Sequence, residues 1–306
     1  MQKTILIIHG RDTKPPRDEL AALWKEALIH GVARDYPAEA RRLSKIPFRI
    51  AYYGDLSNAF AAKRTGKPVE MDEMDRRITL SRLKRYRSDE FTAKTFRQLP
   101  AYNNYGETLT QGIGSVAQVF GLGRAVVERL APDIREYWNQ DSEFGMEVSE
   151  RAISELKDAL DNNERLLVIA HSLGAVVAWD AFWKLSRTLE YRETYGSKKI
   201  DLWMTLGSPL ANATARKHLK GYHSSGEKRY PSTVNRWINV RAEGDYIAGD
   251  RACAEVYAPM LEHGLIQSIR DYSIFNLAVR KGKSNPHNSL GYLIHPVVSL
   301  SVAEWV

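Results

Sequence analysis

The stretch LLVIAHSLGAVVAWDAF, residues 166–182, constrains the fold more than any other part of this chain. Five apolar residues, Leu166 to Ala170, stop at His171 and Ser172; after Leu173 and Gly174 the chain becomes apolar again. The first run does not alternate with polar residues, as expected for a strand covered on both faces. The second continues as a helix through Val176, Val177 and Phe182. The turn between them must be very tight. It forces its central residue into a strained backbone conformation and excludes large side chains two positions to either side. Those positions hold Ala170 and Gly174, so the pattern A-H-S-L-G is a form of G-x-S-x-G.

Similar runs recur along the chain. TILIIH (4–9), FRIAYY (48–53), IDLWMTL (200–206) and WINVR (237–241) join LLVIA as expected buried strands, and DYSIFNL (271–277) is a weaker sixth. Helical spacing lies between them. Leu20, Leu23, Trp24, Ala27 and Leu28 mark one helix, which Gly31 is expected to end. Ile153, Leu156 and Leu160 mark another, and HPVVSLSVAEW reads as a last helix with Pro296 in its first turn. Strands alternating with helices predict an α/β fold, a mostly parallel, doubly wound sheet with helices on both faces.

One connection is too long. From Asp55 to Arg165 lie roughly 110 residues, where a strand–helix–strand crossover needs only about a dozen. This segment holds a charged stretch (71–90), a loop with Pro100, Tyr102 and Tyr105, and the glycine-spaced GIGSVAQVFGLG (112–123). It then carries an amphipathic pattern over 124–138, with Val127, Leu130, Ile134 and Tyr137 on one face. The expectation is a single domain over 1–306, with a helical cap or lid inserted at 55–145. A plain extension of the core is the alternative.

Composition narrows the class. With 306 residues, 43% hydrophobic and 26% charged, the chain can bury a sizeable core. Its net charge of +7 fits a solvated basic surface, or attraction to anionic lipid headgroups, for which the stretch 76–87 is the best-placed segment. No nucleic-acid-binding motif accompanies the charge, so no nucleic-acid partner is expected. Cys253 is the single cysteine, which excludes an intrachain disulfide. The early apolar run ILII is too short for a signal-peptide core, and no stretch of about 18 residues is apolar enough to span a bilayer. A cytoplasmic protein is expected. No His, Cys, Asp and Glu spacing reads as a metal site, and neither metal nor cofactor is expected.

The corner at Ser172 carries the chemistry. A tight strand–turn–helix thrusts the serine above the sheet edge. It also aims the Leu173 N–H and the positive end of the helix at the same spot. That suits a nucleophile attacking a carbonyl; a helix N-cap is the ordinary alternative. A serine needs a base and an acid, which this architecture supplies downstream in the order Asp or Glu, then His. After WINVR, the loop AEGDYIAGD offers Glu243, Asp245 and Asp250. Asp245 is preferred because it follows a glycine, where a turn can aim its carboxylate over the sheet. His287 lies in the polar loop KGKSNPHNSLGY, expected to be a movable connection. His295, at the start of the last helix, is explained by capping; His218, His223 and His263 have no evident place at that edge. After the first strand, HGRD offers Gly10 for close approach and the Arg11 N–H as a second oxyanion donor. His9 is expected to hold that loop by a hydrogen bond.

These pieces together resemble the α/β-hydrolase superfamily, in particular its lipase- and esterase-like branches. The resemblance is carried by ILIIHGR (5–11), LLVIAHSLGAVVAWDAF (166–182), MTLGSPL (204–210), WINVRAEGDYIAG (237–249) and NPHNSLGY (285–292). It implies Ser172 as nucleophile, His287 as base, Asp245 as the acid orienting it, and the Arg11 and Leu173 amides as oxyanion hole. It implies an enzyme that hydrolyses a small-molecule or lipid carboxylic ester without a cofactor. Other readings are a thioesterase or amidase using the same site, and a non-catalytic binding module on the same scaffold.

Overall fold

Burial on two faces explains why the strand runs do not alternate. In the computed structural model, which describes residues 2–11, 13–67, 73–100, 132–139, 142–162, 164–248 and 251–306, all six runs enter one sheet. The strands are β1 (Lys3–Ile8), β2 (Phe48–Ala51), β3 (Arg165–His171), β4 (Leu202–Leu206), β5 (Arg236–Ala242) and β6 (Ser268–Ile274). Their order is β2-β1-β3-β4-β5-β6, and every pair is parallel. Successive strand side chains point to opposite faces. Leu6, Ile8, Val168, Ala170 and Trp203 therefore join one core with the helices Glu143–Asp161 and Leu173–Arg187. Ile5, Ile7, Leu167, Ile169 and Met204 join a second core with the helices Arg17–Asp35 and Pro296–Trp305. The protein is α/β, a parallel sheet covered by helices on both sides.

The strand order places the site. The chain leaves β1 for β2 on one side and returns to β3 on the other. At such a switch point the connections diverge and leave a crevice beyond the carboxyl ends of the strands. Gly10 follows β1 there, and Ser172 follows β3.

Three expectations need correction. Gly31 does not end its helix, which continues to Asp35. It is small because the last helix packs on it: a Cβ would lie 2.7 Å from Ser299 Oγ and 3.0 Å from the Ile294 carbonyl oxygen. The sixth strand begins at Ser268 and ends at Ile274, earlier than DYSIFNL predicts. Beyond it, Asn276 and Leu277 are buried outside the sheet. In the fourth run, the strand starts at Leu202, and Ile200 makes only an isolated bridge to Val234.

Of the long connection, the helix Glu143–Asp161 lies on the sheet against β1 and β2. The helix Glu73–Leu83 packs against the helix Ser289–Leu293 and the short strand Val279–Arg280. That strand pairs with Lys283–Ser284 as a hairpin within the loop ahead of His287. Ile134 and Tyr137 are buried, as their spacing predicts, on the helix Pro132–Trp138. Residues 101–131, with Tyr102, Tyr105, the glycine-spaced segment, Val127 and Leu130, lie outside the described residues. No helix among the described residues is long and apolar enough to cross a membrane.

His295 caps the last helix as expected, its Nδ1 accepting from the Val297 N–H at 3.2 Å. Burial, and then the charge of Arg34, push its pKa down to about 3. In the unfolded chain it would take a proton near the ordinary histidine value of about 6.5. Its stabilising contribution is therefore complete above that value and is lost as pH falls from there toward 3. The variant His295→Asn keeps a capping acceptor but does not titrate. Its melting temperature should fall less between pH 7 and pH 5 than that of the wild type; an equal fall would show that His295 does not drive acid sensitivity.

Candidate active site

The backbone at Ser172 has the strain that the tight turn demands. Its φ is 56° and ψ −127°, and only Lys281 shares a positive φ among the described non-glycine residues. Such a conformation costs roughly 1–3 kcal/mol and persists only where the surroundings enforce it. Here the Ser172 N–H donates to the Leu206 carbonyl at 3.0 Å, which ties the corner to the end of β4. Gly174 is required by β1: a Cβ would stand 2.3 Å from the Ile8 carbonyl oxygen. Gly10 is required by Ser172 itself, whose Cβ would lie 2.8 Å away. Ser172 occupies the N-cap position of Leu173–Arg187, yet its side chain makes no capping hydrogen bond. The hydroxyl faces His287 instead.

Ser172 Oγ lies 2.8 Å from His287 Nε2, and His287 Nδ1 lies 2.8 Å from Asp245 Oδ2. A carboxylate accepts, so Nδ1 carries the hydrogen, and Nε2 accepts from the serine hydroxyl. The Asp245 side chain is 1% exposed. A carboxylate buried that deeply is costly without donors. It has three: His287 Nδ1–H and the Tyr292 hydroxyl at 2.5 Å on Oδ2, and the Ile247 N–H at 3.1 Å on Oδ1. Gly244, at φ 75°, makes the turn that aims Asp245 inward. Glu243 is exposed, and Asp250 lies outside the described residues. His218 stacks on Trp138 with ring centres 4.1 Å apart, His223 meets Tyr222, and His263 is exposed.

The supporting residues were hardly legible in sequence. His171 is buried, and burial, then the neighbouring His287, hold its pKa well below the ordinary value. Neutral, it donates from Nε2 to the His287 carbonyl oxygen at 2.8 Å, with the two rings 4.7 Å apart. Asn276 donates to the carbonyls of Pro286 and Asn288, both at 2.9 Å. The loop carrying His287 thus has its carbonyls held by side chains on both sides. Tyr292 passes a bond along the chain, accepting from the Ala242 N–H at 2.9 Å. Burial, then Asp245, raise its pKa well above the usual phenol value, so it remains a donor.

Gly207, in the TLGSPL stretch, sits under the whole relay. With φ 56°, a Cβ there would lie 2.7 Å from Asp245 Oδ2, 3.1 Å from His287 Nδ1 and 3.1 Å from the Tyr292 hydroxyl.

At the β1 end, His9 holds its loop as expected. Burial, then the charge of Lys14, lower its pKa to about 3. Its Nε2 accepts from the Tyr53 N–H at 3.1 Å, so Nδ1 donates to the Gly10 carbonyl at 2.8 Å. The Tyr53 hydroxyl donates to the His9 carbonyl. Arg11 then lines the same cleft as Ser172 and His287. Leu173 is the first residue of its helix, where an N–H has no intrahelical acceptor. Among the described residues, no group of three or more His, Cys, Asp or Glu side chains could hold a metal ion. The chain matches no protein-family model, and no curated protein matches it as a relative.

Gly207→Ala should lose about 1–3 kcal/mol in urea unfolding from backbone strain alone. The downfield NMR signal of the His287 Nδ1 proton should shift or vanish as well. Wild-type stability with an unchanged signal would overturn the assigned role of Gly207.

Proposed function

We propose that this protein is a serine hydrolase of the α/β-hydrolase type that cleaves a carboxylic ester through an acyl-enzyme. The observation that carries this reading is the unbroken hydrogen-bond chain from Ser172 Oγ through His287 to the buried carboxylate of Asp245. In the mechanism, His287 Nε2 takes the hydroxyl proton as Ser172 Oγ attacks the ester carbonyl. Asp245 fixes the ring in the required tautomer and stabilises the imidazolium that forms. The negative charge on the carbonyl oxygen is received by the Leu173 N–H at the helix start and the Arg11 N–H beside Gly10. His287 returns the proton to the departing alcohol. It then takes a proton from water, which attacks the acyl-enzyme and releases the acid and Ser172.

The backbone strain at Ser172 favours this reading over a binding module. A serine that only bound a ligand would need neither a strained elbow nor a base at hydrogen-bond distance. A thioester or amide would meet the same oxyanion geometry, and the bond class is read from relative rates on matched substrates.

A fluorophosphonate probe tests the reading. Wild type should label covalently, Ser172→Ala should not, and His287→Ala should label at least about a thousandfold more slowly. On short-chain p-nitrophenyl esters, Asp245→Asn should lower kcat by about 10⁴, the loss expected when the imidazole takes the wrong tautomer. A folded wild type that neither labels nor turns over these esters would sink the hydrolase proposal.

A further inference from the structure

A second cavity, of about 150 Å³, shares none of its described lining residues with the cleft at Ser172. Its floor is aromatic. Trp179, on the helix Leu173–Arg187, meets Tyr257 with ring centres 4.9 Å apart, and Tyr230 stands edge-on to both. All three rings are buried. The polar ends of two are already used: Trp179 Nε1–H donates to the Lys220 carbonyl at 3.1 Å, and the Tyr257 hydroxyl donates to the Leu210 carbonyl at 2.7 Å. What these rings offer the cavity is apolar surface.

The charged groups around this floor are all cations, Arg216, Lys220 and Arg229, and no acid lines the cavity among the described residues. Lys220 has the buried Asp180 close by, whose carboxylate accepts from the Lys220 backbone N–H at 2.8 Å. Arg216 is different. Its Nε is buried with no hydrogen-bond partner. Buried N–H groups are almost always paired, and leaving one unpaired costs stability. Arg229 stands over the Tyr222 ring at 4.5 Å. Such stacking uses the face of the guanidinium and leaves the donors on its edge for a planar anion. The acids nearest these residues in sequence, Glu227 and Glu255, turn to Arg187 and Arg251. Burial raises the pKa of Tyr257 well above the usual phenol value, and the charges of Arg216 and Arg229 both act against it, so both guanidiniums stand within electrostatic reach of one ring.

We propose that this cavity is a binding site for a compact oxyanion, a carboxylate or a phosphate, borne on a flat ring. Arg216 and Arg229 hold the anion, and the ring lies against Trp179, Tyr230 and Tyr257. A space of this size has room for benzene, so the ligand is a single ring with its anion. Guanidinium groups suit either anion, because their planar donors match two oxygens at once. The site involves no hydrolytic step, and it stands whether or not Ser172 is a nucleophile.

Isothermal titration with benzoate, with phenyl phosphate and with the neutral benzyl alcohol tests it. At least one of the two anions should bind about tenfold or more tightly than benzyl alcohol, the scale of a charge-assisted hydrogen bond. The tighter anion identifies the headgroup. Potassium chloride should weaken its binding. Arg216→Gln and Arg229→Gln should each weaken it about tenfold, and Arg216→Lys, which keeps the charge, should lose less. Arg76→Gln, in the lining of the Ser172 cleft, should leave it unchanged. Without ligand, Arg216→Gln should melt no lower than wild type, because an unpaired buried N–H is removed. Should it fail to fold, Arg229→Gln and Arg216→Lys decide. If neither anion binds at millimolar concentration, or neither binds better than benzyl alcohol, the inference is overturned. Binding that survives both glutamine variants, or that Arg76→Gln abolishes, places the anion elsewhere and overturns it as well.

Discussion

Asp245 is an ionisable group placed where water cannot reach it, and much of the surrounding structure follows from that placement. Its Oδ2 accepts from both His287 and Tyr292, and its Oδ1 takes a backbone N–H. For these donors to converge, the chain must turn sharply at Gly244 and carry no side chain at Gly207, where the relay atoms take up the room. Tyr292 must be buried with its hydroxyl spanning Asp245 and the end of β5. The helix Ser289–Leu293 that carries Tyr292 also closes the loop of His287, so one buried carboxylate sets the position of both the base and its support.

Three histidines around the crevice illustrate how burial assigns different tasks to one side chain. His9 and His171 are held neutral and spend their ring hydrogens on the carbonyls of Gly10 and His287. They fix the two loops that meet at Ser172. His287, between an acid and a hydroxyl, has the one arrangement of the three that allows a proton to be passed. Asn276 completes the frame by holding the carbonyls on either side of His287.

The strands were legible in sequence because a strand buried on both faces leaves a continuous apolar run. The weakest prediction concerned β6, an edge strand with a single neighbour, whose following apolar residues turn into the core. Gly31 misled because glycine serves equally to end a helix and to let another element approach closely; spacing does not separate the two uses. Ser172, Asp245 and His287 were each marked locally, by small flanking residues, a preceding glycine and a polar loop with proline. Tyr292, Asn276 and His171 had no such mark. Each acts on a residue far along the chain, and nothing near it in sequence announces the partner.

The relay and the arginines at the mouth of the cleft are carried by different elements. Ser172 and Asp245 stand just past strand ends, and the His287 loop is held by the side chains of His171 and Asn276. Arg76 and Arg280 project from a helix and a hairpin outside the sheet. The outer pieces nevertheless touch the relay's support, because the helix Glu73–Leu83 packs against Ser289–Leu293, which carries Tyr292. They buttress the relay from outside the sheet, and a change in their packing would reach the acid and the base together through that one short helix.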